Sequence, residues 1–186
     1  VREVNPAADA GRADSQVASG EEPVVQVGIT EKPSLRFRLD GTFKAKGELV
    51  SGEQLVECVD GCVSWQGALY STISFVPQSK DNTFSLADVT IGKEFHWERS
   101  ETQTFGGTLR LIVNRDSLVA INDVPVEEYL TSVISSEMKS TCPTEYLKAS
   151  AIVSRSWLLT QMHHRRLGEG KPQPPALKRT ADSLVR

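Results

Sequence analysis

One carboxylate of this chain, Glu137, lies where two helical patterns meet, and its type and place suit proton transfer. Upstream, Pro125 fits the first position of a helix and Glu127 its acidic first turn, while Val126, Tyr129, Leu130, Val133 and Ile134 recur at helical spacing. Downstream, Pro143 and Glu145 repeat the start signal. Tyr146, Leu147, Ala149, Ala151, Ile152, Val153, Trp157 and Leu158 then predict a second helix, apolar on most sides and therefore central and buried. Glu137 falls near the end of the first helix or in the short link, next to Met138 and close to apolar walls. A carboxyl in such surroundings has its charged form disfavoured, as a general acid requires. By residue type alone, a Glu between two helices is more often a cap or an ion-pair residue than a catalyst.

The polar residues of the second helix bear on that choice. Lys148 and Arg155 are seven apart and share one face of a helix whose other faces are apolar, so each charge needs a partner. Glu137, Glu127 and Glu128 are the candidates. Arg155 either contacts substrate or ties the two helices together. A cation too close to Glu137 would oppose its use as an acid, so an acidic Glu137 requires Arg155 to engage substrate or another carboxylate more strongly. Ser135 and Ser136 either orient the acid or cap the helix end, and capping is the simpler role.

The order of a Leu-Arg-Leu strand, an Asn-rich turn, Pro-Val-Glu-Glu-Tyr-Leu, Val-Ile-Ser-Ser-Glu-Met, and Leu-Lys-Ala-Ser-Ala with Ser-Arg-Ser-Trp resembles the SpoIID/LytB family, which includes stage II sporulation protein D and the amidase enhancer. The resemblance runs from about Leu109 to Leu159 and rests on several motifs in the right order. It implies a bacterial, exported protein of the periplasm or cell envelope that acts on peptidoglycan glycan strands as a lytic transglycosylase. Glu137 then matches the family's catalytic acid/base, with Arg155, Lys148 and Ser136 as substrate-binding or supporting residues. It also implies a truncated domain, because the family's zinc-binding His/Cys segment would follow Arg186. No cofactor is expected in the chain itself, and a zinc ion is expected only in that downstream segment. The alternative is a non-catalytic glycan-binding or amidase-enhancing module with a cell-wall amidase as partner, or a scaffold piece whose site is completed downstream.

The implied chemistry explains why one carboxylate suffices. Hydrolysing glycosidases use two carboxyl groups, one as acid and one as base or nucleophile. In a lytic transglycosylase the muramic-acid C6 hydroxyl is the attacking group, so no water has to be activated.

Length and charge set the frame. The 186 residues, 39% of them hydrophobic, can bury a core. A net charge of −3 gives no general basic surface, which argues against nucleic acid as a partner. His163, His164, Arg165 and Arg166 read as a solvated helix C-terminus, where cations suit the dipole. No apolar run is long enough to cross a bilayer, and the first residues are too polar for a signal peptide. The chain begins with Val1, which predicts processing or trimming.

The predicted fold class is α+β: a mainly antiparallel β region packed against a long buried helix and a shorter preceding one. Residues 1–22 read as a flexible leader, and 23–186 as a single domain. Within it lie a β-rich part (23–121), a two-helix part (122–168) and the tail of a truncated domain (169–186). Strands are expected at Val24–Ile29, Leu35–Leu39 before the turn Asp40-Gly41, Leu55–Cys58 before Asp60-Gly61, Val63–Trp65, Leu69–Val76, Val89–Trp97, Thr108–Val113 and Leu118–Ile121. Trp157, Val153 and Leu147 are the expected helical core.

The cysteines leave two alternatives. A three-residue loop between Cys58 and Cys62 would oppose them within disulfide reach, or they are two small side chains on a hairpin. A zinc site needs about four ligands, and Cys58, Cys62 and His96 lack a fourth, so no metal is expected. Cys142 has no His base beside it and is not a nucleophile.

Overall fold

The computed structural model describes residues 22–91, 99–138 and 141–166. As expected, the architecture is α+β, with ten antiparallel strands and two helices among the described residues. The strands are β1 (Val24–Lys32), β2 (Ser34–Ala45), β3 (Glu48–Val59), β4 (Cys62–Trp65), β5 (Ala68–Tyr70), β6 (Thr72–Pro77), β7 (Thr83–Ile91), β8 (Arg99–Phe105), β9 (Thr108–Asn114) and β10 (Ser117–Pro125). Helices α1 (Val126–Glu137) and α2 (Thr144–Arg166) follow. The strand order is β1-β10-β9-β6-β2-β3-β4-β5, and β7 pairs with β2 and carries β8.

Period-2 alternation builds this sheet. Along β2, Leu35, Phe37, Leu39, Phe43 and Ala45 are buried while Arg36, Arg38 and Lys44 face out. The expected turn at Asp40-Gly41 is not a hairpin. β2 continues through it, with Gly41 at φ 102° and a register shift between Leu39 and Phe43, and the chain reverses instead at Lys46 and Gly47, at φ 49° and 94°. An Asp-Gly pair thus made a bulge inside a longer strand. At Asp60-Gly61 the hairpin does form, as a two-residue loop in which Val59 opposes Cys62 and Cys58 opposes Val63. The three-residue loop is therefore replaced by a tighter one. Cys58 and Cys62 point to opposite faces, and both are free thiols.

Other strand boundaries shift too. The expected Leu69–Val76 strand is split at Ser71 into β5 and β6. Of the expected Val89–Trp97 strand, 89–91 is the end of β7, which starts earlier, and 92–97 lies outside the described residues. β8 was not expected, because Arg99–Phe105 is mostly polar; it pairs with β7 and turns Gln103 and Phe105 inward.

Two apolar clusters result. The larger fills the β body, where Phe75 meets Phe37 at 5.0 Å and Trp65 at 5.4 Å, both edge to face. The smaller joins Val27 and Val124 to Val126, Tyr129, Leu130 and Val133 of α1 and Leu158 of α2. β10 connects them. Its buried side chains Leu118 and Ala120 enter the β core and Val124 enters the helical cluster. Between these lies Asn122, 1% exposed, with neither amide atom hydrogen-bonded among the described residues. On the opposite face, Arg110 clamps Asp123 through two bonds of 2.7 and 2.9 Å.

The second helix departs from expectation. Leu158 is buried, but Trp157 and Leu147 are only half-buried and Val153 is 67% exposed. Only the flank carrying Leu158, Trp157 and Met162 meets α1 and the β body, so α2 is a surface helix with an apolar outer side among the described residues. Residues 1–21 lie outside the described residues. Glu22, assigned with the leader, is attached to the domain: its carboxylate accepts the Glu127 N–H at 2.7 Å, while Pro23 O accepts the Val126 N–H at 3.0 Å.

Candidate functional site

α1 starts directly where β10 ends. Pro125 makes no side-chain cap, so the first free N–H groups are taken by Pro23 and Glu22 instead. Glu127 and Glu128 occupy the acidic first turn. The helix then runs on Val126, Tyr129, Leu130 and Val133, all buried, until Met138 turns extended at φ −107° and ψ 135°, its N–H bonded to Ile134 O at 2.9 Å. Glu137 is the last residue of α1 and is exposed. Of the two predicted positions, the helix end and the link, the helix end is observed, but not the apolar enclosure. Glu137 follows Val133 by four residues and so continues the face that meets β1, β10 and α2, but it stands at the helix end and is exposed there.

α2 begins after a short connection containing Pro143, whose carbonyl accepts the Tyr146 and Leu147 N–H groups at 3.0 and 3.1 Å. Near its middle, Arg155 Nε donates to Glu127 Oε1 at 2.6 Å, and its Nη2 donates to the second oxygen. This fork-to-fork contact, held chiefly by its hydrogen bonds, keeps the Glu127 carboxyl below the usual carboxylate range. Of the three partners considered for Arg155, the structure takes Glu127. Among the described residues Glu137 has no cation partner. The pairing also sets the helix register: residue 127 lies beside 155, so with equal rise along two antiparallel helices the level of 137 lies near 145.

Lys148 does not reach Glu137; its Nζ donates to Glu145 at 2.9 Å in an exposed pair within α2. Ser136 Oγ donates to Val133 O at 2.8 Å, a bond back to its own helix near the C-terminal end. The structure thus places Glu137, Ser136 and the start of α2 at one end of the helix pair, and Arg155 toward the other.

Two groups of α1, Tyr129 and Glu128, have surroundings that the sequence did not foretell. The Tyr129 phenol is pushed up by burial and, secondarily, by the charge of Glu137, so its ring belongs to the core while its titration feels the candidate acid. Glu128 rests on Gly106 in the turn between β8 and β9, where a side chain on Gly106 would collide with its carboxylate. Partial desolvation and the nearby charge of Glu22 push this carboxyl up, against a smaller opposing effect of Lys80. The neighbouring Gly107, at φ 80°, makes a separate close approach to β10, since an added Cβ would lie 2.6 Å from Asp123 O. Pattern alone gave no sign of this contact, because Gly106 and Glu128 are far apart in sequence.

Among the described residues no group of three His, Cys, Asp or Glu side chains is arranged to hold a metal ion. His96 lies outside them, and no described helix is long and apolar enough to cross a membrane.

Comparison with known families agrees with the motif order. Residues 114–182 match the family model SpoIID, described as Stage II sporulation protein, a stretch that takes in β10, both helices and Glu137. Comparisons with curated proteins and with solved structures returned no match. Over the strand-to-helix-pair segment built around Glu137, this chain is thus similar to the SpoIID family of stage II sporulation proteins.

Proposed function

We propose that this is a cell-envelope protein acting on peptidoglycan glycan strands as a lytic transglycosylase, with Glu137 as the single acid/base. The observation that supports this reading most directly is the partition of charges: both α2 cations considered as partners pair elsewhere, Arg155 with Glu127 and Lys148 with Glu145, while Glu137 is exposed at the helix end and open to a ligand. In the reaction, Glu137 gives its proton to the glycosidic oxygen as the bond from that oxygen to the sugar C1 breaks. The C6 hydroxyl of the same muramic-acid residue then closes on C1, and the carboxylate takes up the hydroxyl proton. The products are a shortened strand with a 1,6-anhydro end and a released strand with a free hydroxyl, so no water is consumed and the acid is regenerated. Ser136, Lys148 and Arg155 support this site by shaping the helix ends or by contact with the glycan.

The lack of the expected apolar enclosure around Glu137 favours the second reading, a module that binds glycan or an amidase without cleaving. Mass spectrometry of anhydro-muramic products separates the two, using this chain and one extended past Arg186. Glu137→Gln keeps the shape, so its melting temperature should match wild type. Cleavage should fall by about 10² to 10⁴-fold, the usual worth of general acid/base catalysis, or further. Cleavage at the wild-type rate by the variant would overturn the assignment of Glu137, and inactivity of both wild-type chains on every glycan would favour the binding module.

A further inference from the structure

The outer side of α2 carries a pattern that a surface helix has no need of. Ala149 and Ser156 are seven residues apart, Ile152 and Leu159 are seven apart, and the two sets interleave at spacings of three and four. This is a heptad seam of small and large side chains on the side of the helix away from α1. Ile152 is 61% and Leu159 39% exposed, flanked by Val153 at 67% and Tyr146 at 55%. The hydroxyls that would make this side polar are turned back into the helix, with Ser156 Oγ bonded to Ile152 O at 2.9 Å and Thr160 Oγ1 to Ser156 O at 2.8 Å. A helix apolar on its outer side as well as its inner one is normally covered.

We infer that this face is a dimerisation surface, on which α2 of one chain packs antiparallel against α2 of a second copy. The pattern is self-complementary in that arrangement and no other. Across a two-fold axis near residue 154, Ala149 lies opposite the partner's Leu159 and Ile152 opposite the partner's Ser156, so every layer sets a small side chain against a large one. The charges agree with the packing. Glu145, exposed in the first turn and paired with Lys148 of its own helix, comes opposite the partner's His163, so the acidic helix start meets the partner's helix end. A parallel pair would set acidic start against acidic start and large against large. A single helix pair buries an area at the low end for specific complexes, so the association is weak and depends on concentration.

Sedimentation equilibrium of the whole chain should show its mass rising toward twice the monomer value as concentration increases. Ile152→Glu and Leu159→Glu should each weaken association by about tenfold or more, with unchanged melting in dilute protein, because both residues are exposed in the single chain. The register has its own test. Ala149→Cys with Leu159→Cys should give a covalent dimer under oxidation, whereas either single variant, which retains Cys58, Cys62 and Cys142, should not. Within one helix these two sites are about 15 Å apart, too far for an internal bridge. A monomer at every concentration, a dimer indifferent to Ile152→Glu and Leu159→Glu, or a dimer that the paired cysteines fail to trap would overturn the proposal. A monomer whose melting temperature falls on Ile152→Glu would overturn it as well, since the face would then be covered within one chain.

Discussion

Phe75 in the β body and Val153 in α2 are both apolar residues that periodicity turns inward, yet the first is completely buried and the second is 67% exposed. Phe75 has neighbours on several strands: it opposes Leu109 across β9 and meets the rings of Phe37 and Trp65. Val153 lies on a helix that, among the described residues, touches the rest of the chain along one flank. The contrast shows what each kind of element requires. A strand in a sheet is flanked by partners, and its side-chain alternation then leaves little choice about which face is covered. A helix satisfies its own backbone, so its apolar pattern says that something must cover it without saying what or on which side.

The sharpest way to break the comparison is Phe75→Ala. Loss of a fully buried ring in a packed core should cost about 3 to 5 kcal/mol, read from thermal or denaturant unfolding. A cost like that of a surface substitution would mean that the β body is not the stabilising core.

A second test lies inside α2. Leu158→Ala removes the one buried residue that this helix gives to the helical cluster, and should cost about 2 kcal/mol or more. Val153→Ala, measured in dilute protein, should fall within about 0.5 kcal/mol of wild type. Equal effects would show that the outer face is covered in the single chain.

The smallest effect concerns pH. The folded Glu128 carboxyl is pushed above its usual range, so the native state holds that proton more tightly than the unfolded chain. Its contribution is most favourable below the ordinary carboxyl pKa and is lost as pH rises through the folded value. Glu127 runs the other way: Arg155 lowers its pKa, so that contribution is present above the ordinary value and lost as pH falls through the folded one. Glu128→Gln should therefore remove a loss of stability on raising the pH across the carboxyl range, and Glu127→Gln a loss on lowering it. The same slope in wild type and Glu128→Gln would place Glu128 in free solvent, away from Gly106.

Much of this protein was legible in its residues alone. Alternation predicted most strands of the β body, the proline and acidic starts predicted both helices, and the order of motifs from Leu109 to Leu159 predicted the family that residues 114–182 match. Each of these signals is local, read from a few consecutive positions. The rest depended on contacts between distant ones. β8 escaped notice because its inward Gln103 and outward polar residues carry no apolar rhythm, and it exists by pairing with β7. Asp40-Gly41 has the composition of a hairpin turn, but pairing of β2 with β3 on both sides of it made a bulge. The partner of Arg155 was one of three acidic residues until the antiparallel approach of the helices brought it to Glu127. Sequence determined that Glu137 lies near the end of the first helix or in the short link after it, because helix boundaries are set by nearby residues. Only the tertiary structure decided that it is exposed, without a cation among the described residues, because burial and charge pairing depend on which faces the rest of the chain happens to cover.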